Sequence, residues 1–288
     1  MEFHQLRYVC AIAETGSFSR AAEHCQVAQP SLSQQVLKLE EDLGAKLFDR
    51  MARRVRLTEA GRAFLPHARS ILSQMEAARS SVVDKCADVR GSVSVGVIPT
   101  IAPYQMPRFA AAFAGKYPDA KLRIVEDTTP VLVESLRNLS IDIAILALPL
   151  RHKDLELFPL RTEPLFAVLP RDHPRAGAKS LALKDLRGEP FVMLRDGHCF
   201  RDLSLATCTH ARITPHIAFE SGQFSSLFGM VAAGVGVSLV PEMAIDRNAG
   251  CHYVRLSDAR ATRTIVAAVL RGRSFNRVQQ AFLAGIRS

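Results

Sequence analysis

The sequence predicts a chain of two unlike parts: an all-α N-terminal unit prolonged by a long linker helix, and a C-terminal α/β unit of two Rossmann-like subdomains. Three observations carry this. Apolar residues recur at three- and four-residue spacing in short runs as far as Leu43. A longer run of the same period follows Thr58. From Gly91 onward short β-branched runs alternate with helical ones, as in a parallel-rich sheet covered by helices.

The short helical patterns are three: Leu6, Val9 and Ile12; Ala21, Ala22 and Cys25; and Leu32, Val36, Leu39 and Leu43. Gly16 and the Gln29-Pro30 turn divide them. Ser17 or Ser19 suits the N-cap of the second helix, and Pro30 the first turn of the third, where its missing N–H costs nothing. Together they form a helix-turn-helix. Its third helix would expose Ser31, Ser33, Gln34, Gln35 and Lys38, short polar side chains able to enter a major groove. Arg50, Arg53, Arg54 and Arg56 then crowd into FDRMARRVRLT, either a solvated basic turn or a wing on phosphates. Spacing alone would also suit a plain three-helix domain.

Thr58 is a plausible N-cap for a long helix. Phe64, Ala68, Ile71, Met75, Ala78 and Val82 make one apolar stripe along it, and Pro66 can bend it. Such a helix is either buried in its own subunit or paired with a second copy; a helix-turn-helix that needs two half-sites favours pairing.

Strands are expected in GSVSVGVIP, KLRIVED, IDIAILAL, LFAVLP, PFVML and VGVSLVP, with YQMPRFAAAFAGKYP a helix between the first two. TEPLFAVLPRDHP reads as a crossover into a second lobe, and RTIVAAVL as the return. The expected organisation is residues 1–59, 60–90 and 91–288, the last divided into about 91–163 with 267–288, and about 164–266. Ligands of such sheets bind beyond the carboxyl ends of strands, where Thr100 and Thr129 fall. Threonines there also serve as helix caps.

The 288 residues are 48% hydrophobic and 23% charged, a soluble globular composition. MEFHQLRYVCAIAETG offers neither a signal peptide nor a membrane span, so a cytoplasmic protein is expected. Six cysteines, at 10, 25, 86, 199, 208 and 251, are then no disulfide framework. The net charge of +9 suggests an anionic partner, yet residues 1–90 hold 13 Lys and Arg against 11 Asp and Glu, so the excess lies mostly beyond them.

MLRDGHCFRDLSLATC, residues 193–208, is the stretch with chemistry. Asp196 and Gly197 can cap a short helix, with Phe200, Leu203 and Thr207 at helical spacing, placing Cys199 in its first turn. Unpaired N–H groups there, a protonated His198, and Arg195 or Arg201 would favour thiolate over thiol. Cys208 could resolve a sulfenic acid into a disulfide. Two inert buried thiols are the plain alternative.

SFSRAAEHCQVAQPSLSQQVLKLEEDLGAKLFDR, followed by RRVRLTEAGRAFL, resembles the winged helix-turn-helix of LysR-type transcriptional regulators. The resemblance implies operator reading by Gln29, Pro30, Ser31, Ser33, Gln34 and Lys38, and backbone grip by Arg50, Arg53 and Arg54. It also implies a linker helix pairing two subunits and an effector domain like a periplasmic binding protein. GVIPTIAPY, DIAILAL and MLRDGHCFRD, with a cysteine nine residues further on, resemble the peroxide-sensing branch of the family. That resemblance makes Cys199 the peroxidatic and Cys208 the resolving cysteine. It makes Thr100, Thr129, His198 and Arg263 peroxide-positioning groups, with Arg271 in place of Arg263 if the register slips. The implied protein is an activator of oxidative-stress genes, not an enzyme, assembled as a homotetramer and working with RNA polymerase. The segment between Cys208 and Glu220 is shorter than usual for that branch.

Other classes stay in view. A LysR-type regulator can instead sense a small organic ligand in the cleft, and a thiol peroxidase would use the same cysteines but need no operator-reading unit. His198, Cys199, Cys208 and His210 lack a chelating spacing, so no metal and no cofactor are expected.

Overall fold

A computed structural model describes residues 1–49, 55–82, 89–150 and 152–287, without the side chains of residues 77 and 79–82. Arg50, Arg53 and Arg54 lie outside the described residues. Helices α1 (Phe3–Thr15), α2 (Phe18–Cys25) and α3 (Gln29–Leu43) stand where the apolar spacing predicts them. Val9, Ile12, Ala21, Ala22, Leu32, Val36 and Leu39 share one buried core. Leu43 does not join it: it is the last residue of α3, before a left-handed Gly44, and remains 40% exposed. Ser17 is the N-cap of α2, its hydroxyl accepting from Arg20 N.

Past Gly44 the chain is held by a buried carboxylate. Glu40 Oε1 accepts from Leu47 N (2.8 Å) and Phe48 N (3.2 Å), fixing the entry to β1 (Phe48–Asp49), which pairs antiparallel with β2 (Arg56–Leu57). Thr58 Oγ1 accepts from Gly61 N at 3.0 Å and so caps α4 (Glu59–Val82). A Cβ on Gly61 would sit 2.1 Å from the Leu47 carbonyl oxygen, which is how closely α4 presses on the preceding unit. Along the apolar stripe Ala68 is buried, Phe64, Ile71 and Met75 are half-buried, and Ala78 is exposed, so the subunit does not cover this stripe by itself.

The α/β part opens with β3 (Gly91–Val97), α5 (Ala102–Lys116), β4 (Ala120–Glu126), α6 (Thr129–Arg137) and β5 (Ile143–Ala147), with β3 parallel to both β4 and β5. The 15-residue strand β6 (Leu155–Leu169) then carries the chain from one core into a second. There follow β7 (Ser180–Leu181), β8 (Pro190–Leu194), α7 (Cys199–His210), β9 (His216–Ser221), α8 (Phe224–Ala232), β10 (Ser238–Pro241) and β11 (His252–Leu256). Strand β12 (Thr262–Leu270) returns antiparallel to β6 and β5, and α9 (Arg277–Arg287) closes the first subdomain. The main sheet runs β4-β3-β5-β12-β6-β11-β7, with β10 also on β6. Its middle is antiparallel because β6 and β12 are crossovers between lobes. The return crossing comes earlier than the sequence suggests: β12 pairs with β5 from Ile265 onward, so Ile265 and Val266 belong to the first core.

Candidate functional site: a half-buried thiol between the two subdomains

Helix α7 begins at Cys199, but not with the expected cap. Gly197 (φ +92°) turns the chain and His198 is the N-cap, with no side-chain cap bond. Asp196 instead pairs with Arg201 Nε at 2.7 Å; Arg201 also binds Glu220 and donates to the Leu194 carbonyl at 3.0 Å. Arg201 is therefore spent on carboxylates and does not act on the thiol. His198 is buried, and burial, with Arg195 nearby, lowers its pKa, so the imidazole is neutral and the help that a protonated His198 would give the thiolate is missing.

The cation near Cys199 is Arg263, on β12. Its side chain is wholly buried, beneath Phe200, and hydrogen-bonded throughout. Nε and Nη2 donate to Glu163 Oε1 (3.0 and 2.7 Å), Nη1 to Thr100 Oγ1 (3.1 Å) and Nη2 to the Thr100 carbonyl (3.5 Å). Glu163 sits directly opposite Arg263 in the β6–β12 register, and its Oε2 accepts from Met243 N at 2.9 Å. Sequence reasoning missed Glu163. The TEPLF context offers only alternation as a signal, and Arg263 gives the carboxylate its role.

Thr100, Thr129, His198 and Cys199 meet in one slot, closed by Ile98, Pro99, Thr128 and Gly197. Its free space totals about 170 Å³ and is nowhere wide enough to seat a water molecule. Thr129 Oγ1 is buried without a well-aligned hydrogen bond, yet lies close enough to the thiol to favour its thiolate. Burial outweighs that help and the field of Arg263: the Cys199 thiol is pushed up from its ordinary pKa, against the expectation from the sequence. The slot thus brings Thr100, Thr129 and His198 beside Cys199, whereas Arg263 does not line it and reaches it through its hydrogen bonds to Thr100. Arg271 lies at the far end of β12, exposed and away from it.

Cys208 is elsewhere. It is fully buried in the second core, on the face of α7 that also buries Phe200 and Ser204, and burial raises its thiol to about 11. Cys199 packs against the first core. Both are free thiols; nine helical steps hold their Cα atoms about 13 Å apart on opposite sides of α7. Among the described residues no cluster of three or more His, Cys, Asp or Glu could hold a metal, and no helix is long and apolar enough to cross a membrane.

At the N-terminal unit α3 leaves Gln29, Pro30, Ser31, Gln34 and Lys38 exposed, and Ser33 half-buried. Gln35 turns inward, unlike its expected exposure: Gln5 Nε2 donates to its Oε1 at 3.2 Å, and His4 Nε2 lies 3.1 Å from the same atom. The pattern of the "lysR family" of bacterial regulatory helix-turn-helix proteins matches residues 3–62, and that of the LysR substrate binding domain matches residues 87–288. The chain is a LysR-type transcriptional regulator. It is a DNA-binding regulator and not an enzyme. This regulator is 34% identical over 245 residues to the "DNA-binding transcriptional dual regulator OxyR" of Escherichia coli K12, covering 85% of this chain and 80% of that one. Among solved structures it is similar to a cysteine-to-aspartate mutant of full-length OxyR from Pseudomonas aeruginosa, with a TM-score of 0.86, 32% identity, and coverage of 100% and 95%. It is also similar to the H2O2-bound form of a cysteine-to-serine mutant of Corynebacterium glutamicum OxyR, with a TM-score of 0.65, 31% identity, and coverage of 99% and 91%.

Proposed function

We propose that this regulator senses hydrogen peroxide through Cys199 and signals it by a reversible Cys199–Cys208 disulfide. The observation that carries the reading is the grouping at the slot: a lone thiol at a helix start, faced by the Thr129 hydroxyl and backed by a buried arginine, with a slot that must widen before peroxide enters. The Cys199 thiolate attacks one peroxide oxygen, the O–O bond breaks, and the departing hydroxide takes a proton to leave as water. Sulfur is thereby oxidised to a sulfenic acid. Thr129, with Thr100 and neutral His198, lines the path of the reacting oxygens. Cys208 then attacks the sulfenic sulfur and releases a second water as the disulfide forms. A cellular dithiol would return both thiols.

The rest follows the family. Gln29, Pro30, Ser31, Ser33, Gln34 and Lys38 read the operator and Arg50, Arg53 and Arg54 grip its backbone. Residues 1–59, 60–90 and 91–288 act as DNA-reading, pairing and sensing units. The half-exposed stripe of α4 pairs two subunits, with a dimer of dimers acting on RNA polymerase in the cytoplasm. Mass spectrometry of the intact protein with one equivalent of peroxide tests the chemistry. Loss of two hydrogens, absent in Cys199→Ser and replaced by a trappable sulfenic acid in Cys208→Ser, is the expected result. Equal oxidation of the other cysteines would remove the assignment.

One observation favours a second reading. A cavity of about 330 Å³ opens beside the slot, lined by Thr100, Tyr104, Glu126, Gln223, Phe224 and Ser225 among others, a size suited to a small organic effector. An effector of that kind would still act on Cys199→Ser.

A further inference from the structure

Helix α4 has a second face. Ser70, Ser73 and Gln74, at positions i, i+3 and i+4, lie away from the apolar stripe and line a cavity of about 230 Å³. Its opposite wall is the turn after β12, which supplies Arg271, Arg273 and Ser274. Among the described residues no carboxylate lines this cavity. Arg273 is only 9% exposed. It pairs with Asp142, and donates to the Ile141 carbonyl (3.2 Å) and to Ser73 Oγ (3.4 Å). Its Nε is buried and has no partner, a costly state for a charged donor. Arg271 is exposed, and its side chain has a single long hydrogen bond, to the Leu155 carbonyl at 3.4 Å.

Two guanidiniums, three hydroxyls and an amide around one small space are a donor-rich set with one counter-charge, Asp142, already committed to Arg273. We propose that this cavity binds a small free oxyanion of the phosphate or sulfate class. Guanidinium forks match its oxygens, serine hydroxyls take the remaining lone pairs, and the volume admits the ion with some of its water. An ion held there touches α4 through Ser70 and Ser73 and the sensing unit through Arg271 and Ser274. It ties the linker helix to the regulatory domain, and the helix is the route by which any signal reaches the DNA-reading unit. The site is independent of the cysteine chemistry.

The test uses the reduced full-length protein, titrated calorimetrically with sodium phosphate in one arm and sodium sulfate in the other, at ionic strength held with sodium chloride. Arg273 is left intact because its ion pair supports the fold; Arg271→Gln and Ser70→Ala are the variants. A single saturable site, weakened about tenfold in Arg271→Gln, is expected, with slower hydrogen exchange over residues 66–76 and 268–274 in the bound form. No saturable binding of either ion below about 10 mM, or binding unchanged in both variants because the ion sits elsewhere, overturns the proposal.

Discussion

A guanidinium as fully removed from water as Arg263 needs a counter-charge, and Glu163 supplies it across the β6–β12 pairing. Much of the positive field that Cys199 would feel is thereby cancelled, which agrees with a thiol pushed up by burial and only partly brought back by Thr129 and Arg263. Glu163→Gln keeps an acceptor for Arg263 but removes the cancelling charge. The Cys199 pKa should fall and its alkylation at neutral pH should quicken several-fold. Thr129→Val removes a donor to the thiolate and should act the other way, raising the pKa and slowing alkylation. Stopped alkylation followed across pH checks both; identical profiles for all three proteins would disconnect these residues from the thiol. The sequence carried the pieces of this site unevenly. Thr100, Thr129, His198 and Arg263 are marked by motifs. Glu163 sits in an ordinary-looking strand, and the neutrality of His198 follows from burial, which no local pattern reports.

Helix α7 is the element on which the proposed chemistry turns. A disulfide needs Cα atoms within about 7 Å, and the helix holds them about 13 Å apart, so the bond requires α7 to open. Ala206 is exposed near the middle of the helix. Ala206→Gly costs about 1 kcal/mol of helix stability, which raises the open population about fivefold. Disulfide formation from the sulfenic acid should accelerate by about that factor while the Cys199 pKa stays unchanged. A quench-flow series separating the two oxidation steps measures it, and an unaltered second step would mean that opening does not limit the bond. Cys208 offers a second handle. Its folded pKa of about 11 exceeds the ordinary thiol value of 9.0, so its thiol stabilises the fold fully below pH 9 and that contribution is lost as pH rises toward 11. The stability difference between wild type and Cys208→Ala should narrow over that window in denaturant titrations. The helix was readable from Phe200, Leu203 and Thr207. Strands β9 and β11 were not: HIAFES and HYVRL are short and partly exposed, and pairing with β8 and β6 holds them in place.

At the scale of the molecule the decisive feature is that α7 belongs to both subdomains at once. Cys199 packs against the first core, while Phe200 and Cys208 lie in the second; the crossovers β6 and β12 pass between the two, and Met243 and the Tyr104–Phe224 ring pair also meet across them. Periodicity shows two lobes from the sequence, but which side chain bridges them depends on how the lobes meet. In the proposed switch, a disulfide that drew Cys199 out of the first core would remove one tie across the cleft and leave the Thr100 and Thr129 loops without this neighbour. The DNA-reading unit has a core of its own that takes only the start of α4, through Leu65 and its neighbours, and should move as a rigid body. Hydrogen exchange compared between reduced and oxidised protein should therefore show faster exchange in residues 199–208 and around residues 98–101 and 127–130, with α1 to α3 unchanged. Protection lost throughout α1 to α3 would mean that oxidation loosens the DNA-reading unit itself. Identical protection in both forms, with the disulfide demonstrably present, would mean the two cysteines meet without opening α7, and the bridge between subdomains would play no part in the signal.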